Sequence, residues 1–140
     1  MSRITPADEN SSPLLAKVYE QIRKTRGIVA DILKNFSHAP EGLDRFAAYG
    51  EYVRYRTDLT GRTRELAILA IARGNQYAWS HHHPHAIKAG LSQAELDALN
   101  DGQFADTLSA AETAAARYTQ EFARGGQVSD ATFTDLKAHY

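Results

Sequence analysis

Glu65-Leu66-Ala67-Ile68-Leu69-Ala70-Ile71-Ala72 is apolar at every position after its opening carboxylate. A run of this length, built mostly from helix formers and lacking a polar face, has to be buried on most sides, so it predicts the central core helix between Arg62 and Arg73. On its near side Asp58-Leu59-Thr60-Gly61 breaks the preceding pattern, and Thr60 supplies a cap. On its far side Gly74-Asn75 is a break, and a second helix is predicted from Gln76 to Ala89, closed by Gly90 after Lys88.

The same signals continue in both directions. Ser92-Gln93-Ala94-Glu95 and Ser109-Ala110-Ala111-Glu112 each match the capping box, so two more helices start there. The first is short, with Leu96 and Leu99 inward; the second runs to Arg124 with Ala115, Tyr118, Thr119 and Phe122 along one stripe and stops at Gly125-Gly126. A last helix around 130–139 is predicted to bury Phe133 and Leu136. Toward the N-terminus, Ser12-Pro13 is an N-cap followed by proline at the first helical position; Leu14, Leu15, Val18 and Ile22 recur at helical spacing, and Gly27 is the stop. Ile28, Ile32, Leu33 and Phe36 give a short second helix that ends before Pro40, and Leu43, Phe46, Ala47, Tyr49 and Val53 mark a third from Glu41 to Arg56. Alternating strand-like stretches bounded by turns are missing from the pattern, and no long period repeats. The expectation is an all-α helical bundle in a single domain, residues 12–140, preceded by a flexible arm over residues 1–11.

A chain of 140 residues can bury one sizeable core but hardly two. Sixteen basic against seventeen acidic side chains leave a net charge of −1, which provides no field for nucleic acid or an anionic membrane surface. Neither is expected as a partner. The chain has no cysteine, which excludes disulfides, thiolate metal sites, a cysteine nucleophile and any dithiol redox cycle. The start Met1-Ser2-Arg3-Ile4-Thr5-Pro6 lacks the apolar core of a signal peptide, and no run reaches the roughly eighteen apolar residues of a spanning helix. The expected compartment is the cytoplasm.

Four of the six histidines fall in Trp79-Ser80-His81-His82-His83-Pro84-His85. On a helix, His81 and His85 are four apart and His82 and His85 three apart, so each pair can share a face while His83 points elsewhere. Crowded imidazoles repel one another when charged, which keeps neutral imidazole available as a base. A metal on His81, His82 and His85 is the competing reading, but the zincin pattern is absent, and the expectation is no metal and no cofactor. Pro84 removes a helical hydrogen bond and crowds the Ser80 carbonyl, which predicts a bend beside His81 and His82. Tyr77 and Trp79 are pocket-wall candidates or simply core aromatics. Glu65 either favours the dipole of its helix or orients a histidine from a buried position, with Arg62 and Arg64 in reach of the same turn.

Taken together, Arg64-Glu65-Leu66-Ala67-Ile68-Leu69 and Gln76-Tyr77-Ala78-Trp79-Ser80-His81-His82-His83-Pro84-His85-Ala86-Ile87-Lys88-Ala89-Gly90-Leu91-Ser92 resemble the carboxymuconolactone decarboxylase family, with the likeness covering most of Gly27 to Leu99. That family shares its fold with the AhpD-like alkylhydroperoxidases. The resemblance implies an AhpD-like helical subunit, a homo-oligomer (trimer or hexamer), and a site at the histidine-bearing helix. Peroxidase members carry a Cys-x-x-Cys-x-x-x-His pattern, which falls here on Asn75, Ala78 and His82; thiol peroxidase activity is therefore not expected. Decarboxylase members imply a carboxy-lyase acting on a small lactone or keto carboxylic acid. In that reading His82 is proton donor or acceptor, Glu65 orients it, His81 or Arg62 contacts the anion, and Tyr77, Trp79 and His85 line the substrate. Two other readings stay open: a non-catalytic oligomeric or ligand-binding protein, and a histidine-cluster metalloprotein.

Overall fold

The structure, a computed structural model, describes residues 3–140, and among them it contains eight α-helices, one 3-10 turn and no strand. By packing, the residues group into two helical units, one ending at Asp58 and one from Leu59 to Tyr140. None of the helices is long and apolar enough to cross a membrane among the described residues.

In the first unit, α1 (Pro13–Arg26) begins where the sequence says it must: the Ser12 hydroxyl accepts the Leu15 N–H at 3.1 Å, and Gly27 ends the helix at φ 79°. α2 (Asp31–Lys34) is a single turn, and α3 (Pro40–Tyr55) follows. Leu15, Val18, Tyr19, Ile22, Val29, Leu33, Leu43 and Ala47 form the core of this unit. Residues 3–11, expected as a loose arm, are instead fastened down as far as they are described. A 3-10 turn (Glu9–Ser11) places Glu9 on Arg23 at 2.7 Å; the Ala7 N–H donates to the buried Ser37 hydroxyl at 2.7 Å, and His38 Nε2 donates to the Thr5 carbonyl at 2.8 Å. Met1 and Ser2 lie outside the described residues.

α3 departs from the expected inward stripe. Leu43 and Ala47, one turn apart, take the buried line, while Phe46, Tyr49 and Val53 are exposed, Tyr49 to 68%. A helix packed on one side buries only a narrow stripe, so apolar residues on its flanks stay in solvent.

The second unit is built on α4 (Gly61–Ala72), capped by the Thr60 hydroxyl on the Thr63 N–H at 3.1 Å. Leu66 and Leu69 are fully buried, as expected of the core helix, and Ile71 alone of the run turns well out. Around it pack α5 (Gln76–Lys88), α6 (Gln93–Asn100) and α7 (Ala110–Gly125), with Leu91, Leu96, Leu99, Leu108 and Ala116 completing the core. Burying each such leucine contributes roughly 1.5–3 kcal/mol. Both capping boxes form. α5 continues as helix through Pro84.

α8 (Asp130–Lys137) turns differently from the expectation that it buries Phe133 and Leu136. Phe133 is half exposed, Leu136 is only partly covered, and Thr132 is the buried residue, because its hydroxyl donates to Glu121 Oε1 at 2.6 Å. Phe122 on α7 is likewise exposed, and Ala114, Ala115, Ala116 and Gln120 occupy its inner face.

Candidate functional site

The short Arg73-Gly74-Asn75 turn joins α4 to α5, and the two helices pack on one another. Glu65 on α4 meets His82 on α5 across that contact: Glu65 Oε2 lies 2.9 Å from His82 Nδ1. The Glu65 side chain is 4% exposed, and Arg64 Nε stands 4.0 Å from its other oxygen. A carboxylate this buried needs partners, and it finds an imidazole N–H and a nearby guanidinium. An ionised carboxylate only accepts, so Nδ1 must donate. In neutral His82 the lone pair is then on Nε2; in the imidazolium form Nε2 carries the second, transferable proton.

His82 does not stand alone. Its ring centroid is 5.3 Å from that of His81 and 6.2 Å from that of His85, and His81 and His85 are 5.7 Å apart. Tyr77, half exposed, lies parallel to His81 with centroids 6.3 Å apart. The helix thus presents three imidazoles and a phenol together, and the i, i+4 step from Tyr77 to His81 to His85 explains why. Trp79 is on another side, partly buried against the core of Leu66, Leu69 and Ala86. No group of three His, Asp or Glu side chains is arranged to hold a metal ion among the described residues.

Arg62 stands apart from this cluster. Its Nε donates to Glu112 Oε1 and its Nη2 to Glu95 Oε1, each at 2.6 Å, while Nη1 donates to the Gly90 carbonyl. Gly90 follows α5 at φ 99°, a conformation open to glycine, and the turn aims that carbonyl at the guanidinium. Arg62 therefore ties the first turns of α6 and α7 to α4 and does not join Glu65 and His82.

The sequence matches the carboxymuconolactone decarboxylase family profile over residues 40–121, more than half of the chain. The chain belongs to the carboxymuconolactone decarboxylase family. Two solved structures of the debrominase Bmp8 are similar to it across 100% of this chain, both at a TM-score of 0.80. The apo form is 17% identical with 77% of its chain covered, and a variant in complex with 2,3,4-tribromopyrrole is 16% identical with 76% covered. At such identity the likeness is one of fold. A comparison with curated protein sequences finds no match.

Family membership makes two residues informative. Asn75 and Ala78, where the resemblance set the peroxidase cysteines, share a helix cap: the Asn75 side chain accepts the Ala78 N–H at 3.1 Å. In this carboxymuconolactone decarboxylase family member those positions start a helix and carry no thiol. No sequence pattern announces the Glu95–Arg62–Glu112 network. Its signal was split between two capping boxes and a distant arginine, and nothing local connects them.

Proposed function

We propose that the chain catalyses proton transfer without thiols on a small carboxylic acid, a lactone or keto acid, with loss of carbon dioxide. The observation that carries this reading is the 2.9 Å contact between the buried Glu65 carboxylate and His82. In this scheme the bond between the substrate carbon and its carboxylate breaks, the electron pair stays on the substrate as an enolate or carbanion, and carbon dioxide leaves. The His82 imidazolium donates its Nε2 proton to that carbon and recovers one from water, while Glu65 holds Nδ1 throughout. His81 and His85 supply the nearby donor groups that an anion needs, and Tyr77 supplies wall, whereas Trp79 is turned into the core. Debromination, the activity named for Bmp8, is a net reduction, and this chain has no cysteine to supply the electrons.

Incubating the purified chain with a panel of small lactone and keto carboxylic acids should release carbon dioxide from at least one. If none is turned over, the protein is a ligand binder on the same scaffold. That second reading draws on one observation: the chain has no cysteine and so keeps none of the thiols of the peroxidase pattern.

The reading extends to assembly. Phe36 and Phe46 stack at 5.1 Å and are both partly exposed; with Tyr49, Tyr52 and Val53 they give α3 an apolar outer face suited to a second copy of the chain. Light scattering should give a mass of three or six chains for the wild type and a smaller one for Tyr49→Glu. A monomeric wild type would rule the assembly out.

A further inference from the structure

A pocket of about 620 Å³ opens at the far ends of α4 and α7, within the second unit and away from Glu65 and His82. Its wall is chemically lopsided. Arg73 and Arg124 bring two guanidinium groups, Asn100 and Gln120 bring polar side chains, and Ile71 and Ala123 bring apolar surface. Among the described residues neither arginine is paired with a carboxylate. Arg73 Nε donates to the Asn100 carbonyl at 3.2 Å. Gly102 leaves room for it: a Cβ there would come within 2.6 Å of the Arg73 guanidinium.

Gln120 decides the reading. It is 7% exposed, and its buried Nε2 has no hydrogen-bond acceptor. An amide N–H2 withdrawn from water without an acceptor is costly, of the order of 1–3 kcal/mol, and is kept where something else satisfies it. Cations at the C-terminal ends of α4 and α7 are favoured by the helix dipoles, but each dipole end amounts to only about half a charge, so two unpaired guanidiniums leave the pocket positive. What satisfies a donor amide that shares a pocket wall with two guanidinium groups and an apolar surface is an anion with acceptor oxygens and a hydrocarbon body. The volume falls within the roughly 300–1,000 Å³ of small-molecule sites.

We propose that this pocket binds a small organic carboxylate, its oxygens on Arg73, Arg124 and Gln120 Nε2 and its apolar part on Ile71 and Ala123. The site is separate from the histidine cluster and does not depend on the activity proposed above.

Benzoate is a suitable probe. Titrated into the full chain, it should shift the side-chain amide resonance of Gln120 saturably, that resonance being identified by its loss in Gln120→Leu. Arg124 is exposed, so Arg124→Ala should fold normally and bind about tenfold more weakly, the weight of one charge-assisted hydrogen bond. His82→Gln should bind as the wild type does. An unmoved Gln120 resonance, or undiminished binding by Arg124→Ala, overturns the proposal. So does an equal shift with sulfate at matched ionic strength, which would make this a site for inorganic anions.

Discussion

A His82→Gln chain should release carbon dioxide from its substrate about a hundred- to ten-thousandfold more slowly than the wild type, the usual span for losing a general acid or base. Glutamine can still donate to Glu65 Oε2, so helicity and thermal unfolding should hardly change. What it lacks is a proton that moves. Glu65→Gln is the companion test, because Glu65 is buried beneath His82 and acts through it as a positioning residue. Its loss should lower kcat and leave KM close to the wild-type value, since substrate binding on His81, His85 and Tyr77 does not involve it. Wild-type rates in both variants would remove the pair from the chemistry. A raised KM at unchanged kcat in Glu65→Gln would make it a structural residue only.

The largest loss of stability is expected at Arg62. Replacing it with Met strands two carboxylates, Glu95 at 5% and Glu112 at 13% side-chain exposure, each 2.6 Å from the guanidinium in the wild type. Leaving a buried charge without its partner costs about 3–5 kcal/mol. The acid limb of stability should move as well. Burial pushes the Glu95 carboxyl up, but hydrogen bonds from Arg62, the Ser92 N–H and the Thr107 and Ser92 hydroxyls outweigh it and hold the group at about 2, below its ordinary 4.5. Because the folded form sheds this proton more readily than the unfolded chain, the stabilisation is complete above about pH 4.5 and drains away as the pH falls toward 2. Its full size is of the order of 3 kcal/mol.

In Arg62→Met the strongest of those opposing bonds is gone, so unfolding should set in at a higher pH. Denaturant unfolding from neutral pH downward would read both effects, and a midpoint equal to the wild-type one would refute the network. Adding Glu95→Gln to Arg62→Met should recover part of the loss, because an amide is cheaper to leave unpaired than a carboxylate.

Helix starts were open to reading from the chain because each is decided within a few residues. Ser12, Thr60, Ser92 and Ser109 cap helices through side-chain bonds to a backbone N–H three positions on, and the structure has all four. The burial of α4 was equally plain, since a run with no polar face has nowhere else to go. Orientation was less accessible. Phe46, Tyr49, Val53 and Phe133 keep helical spacing, yet periodicity states which residues share a face and not which face is covered. Thr132 displaced Phe133 from the interior through a bond to Glu121, eleven residues away, that no local pattern announces.

By itself, then, the amino-acid order determined an all-helical chain, its caps and stops, a core helix and the exclusion of thiol chemistry, all consequences of composition or of contacts three to four residues apart. Only the tertiary structure decided that Glu65 meets His82 seventeen residues on, that Arg62 is taken up by partners 33 and 50 residues away, and that Gln120 is left as an unsatisfied donor in a pocket lined also by two arginines. Those outcomes depend on how packed helices bring distant side chains into a low-dielectric interior, where a charge or a donor must find whatever partner the packing supplies.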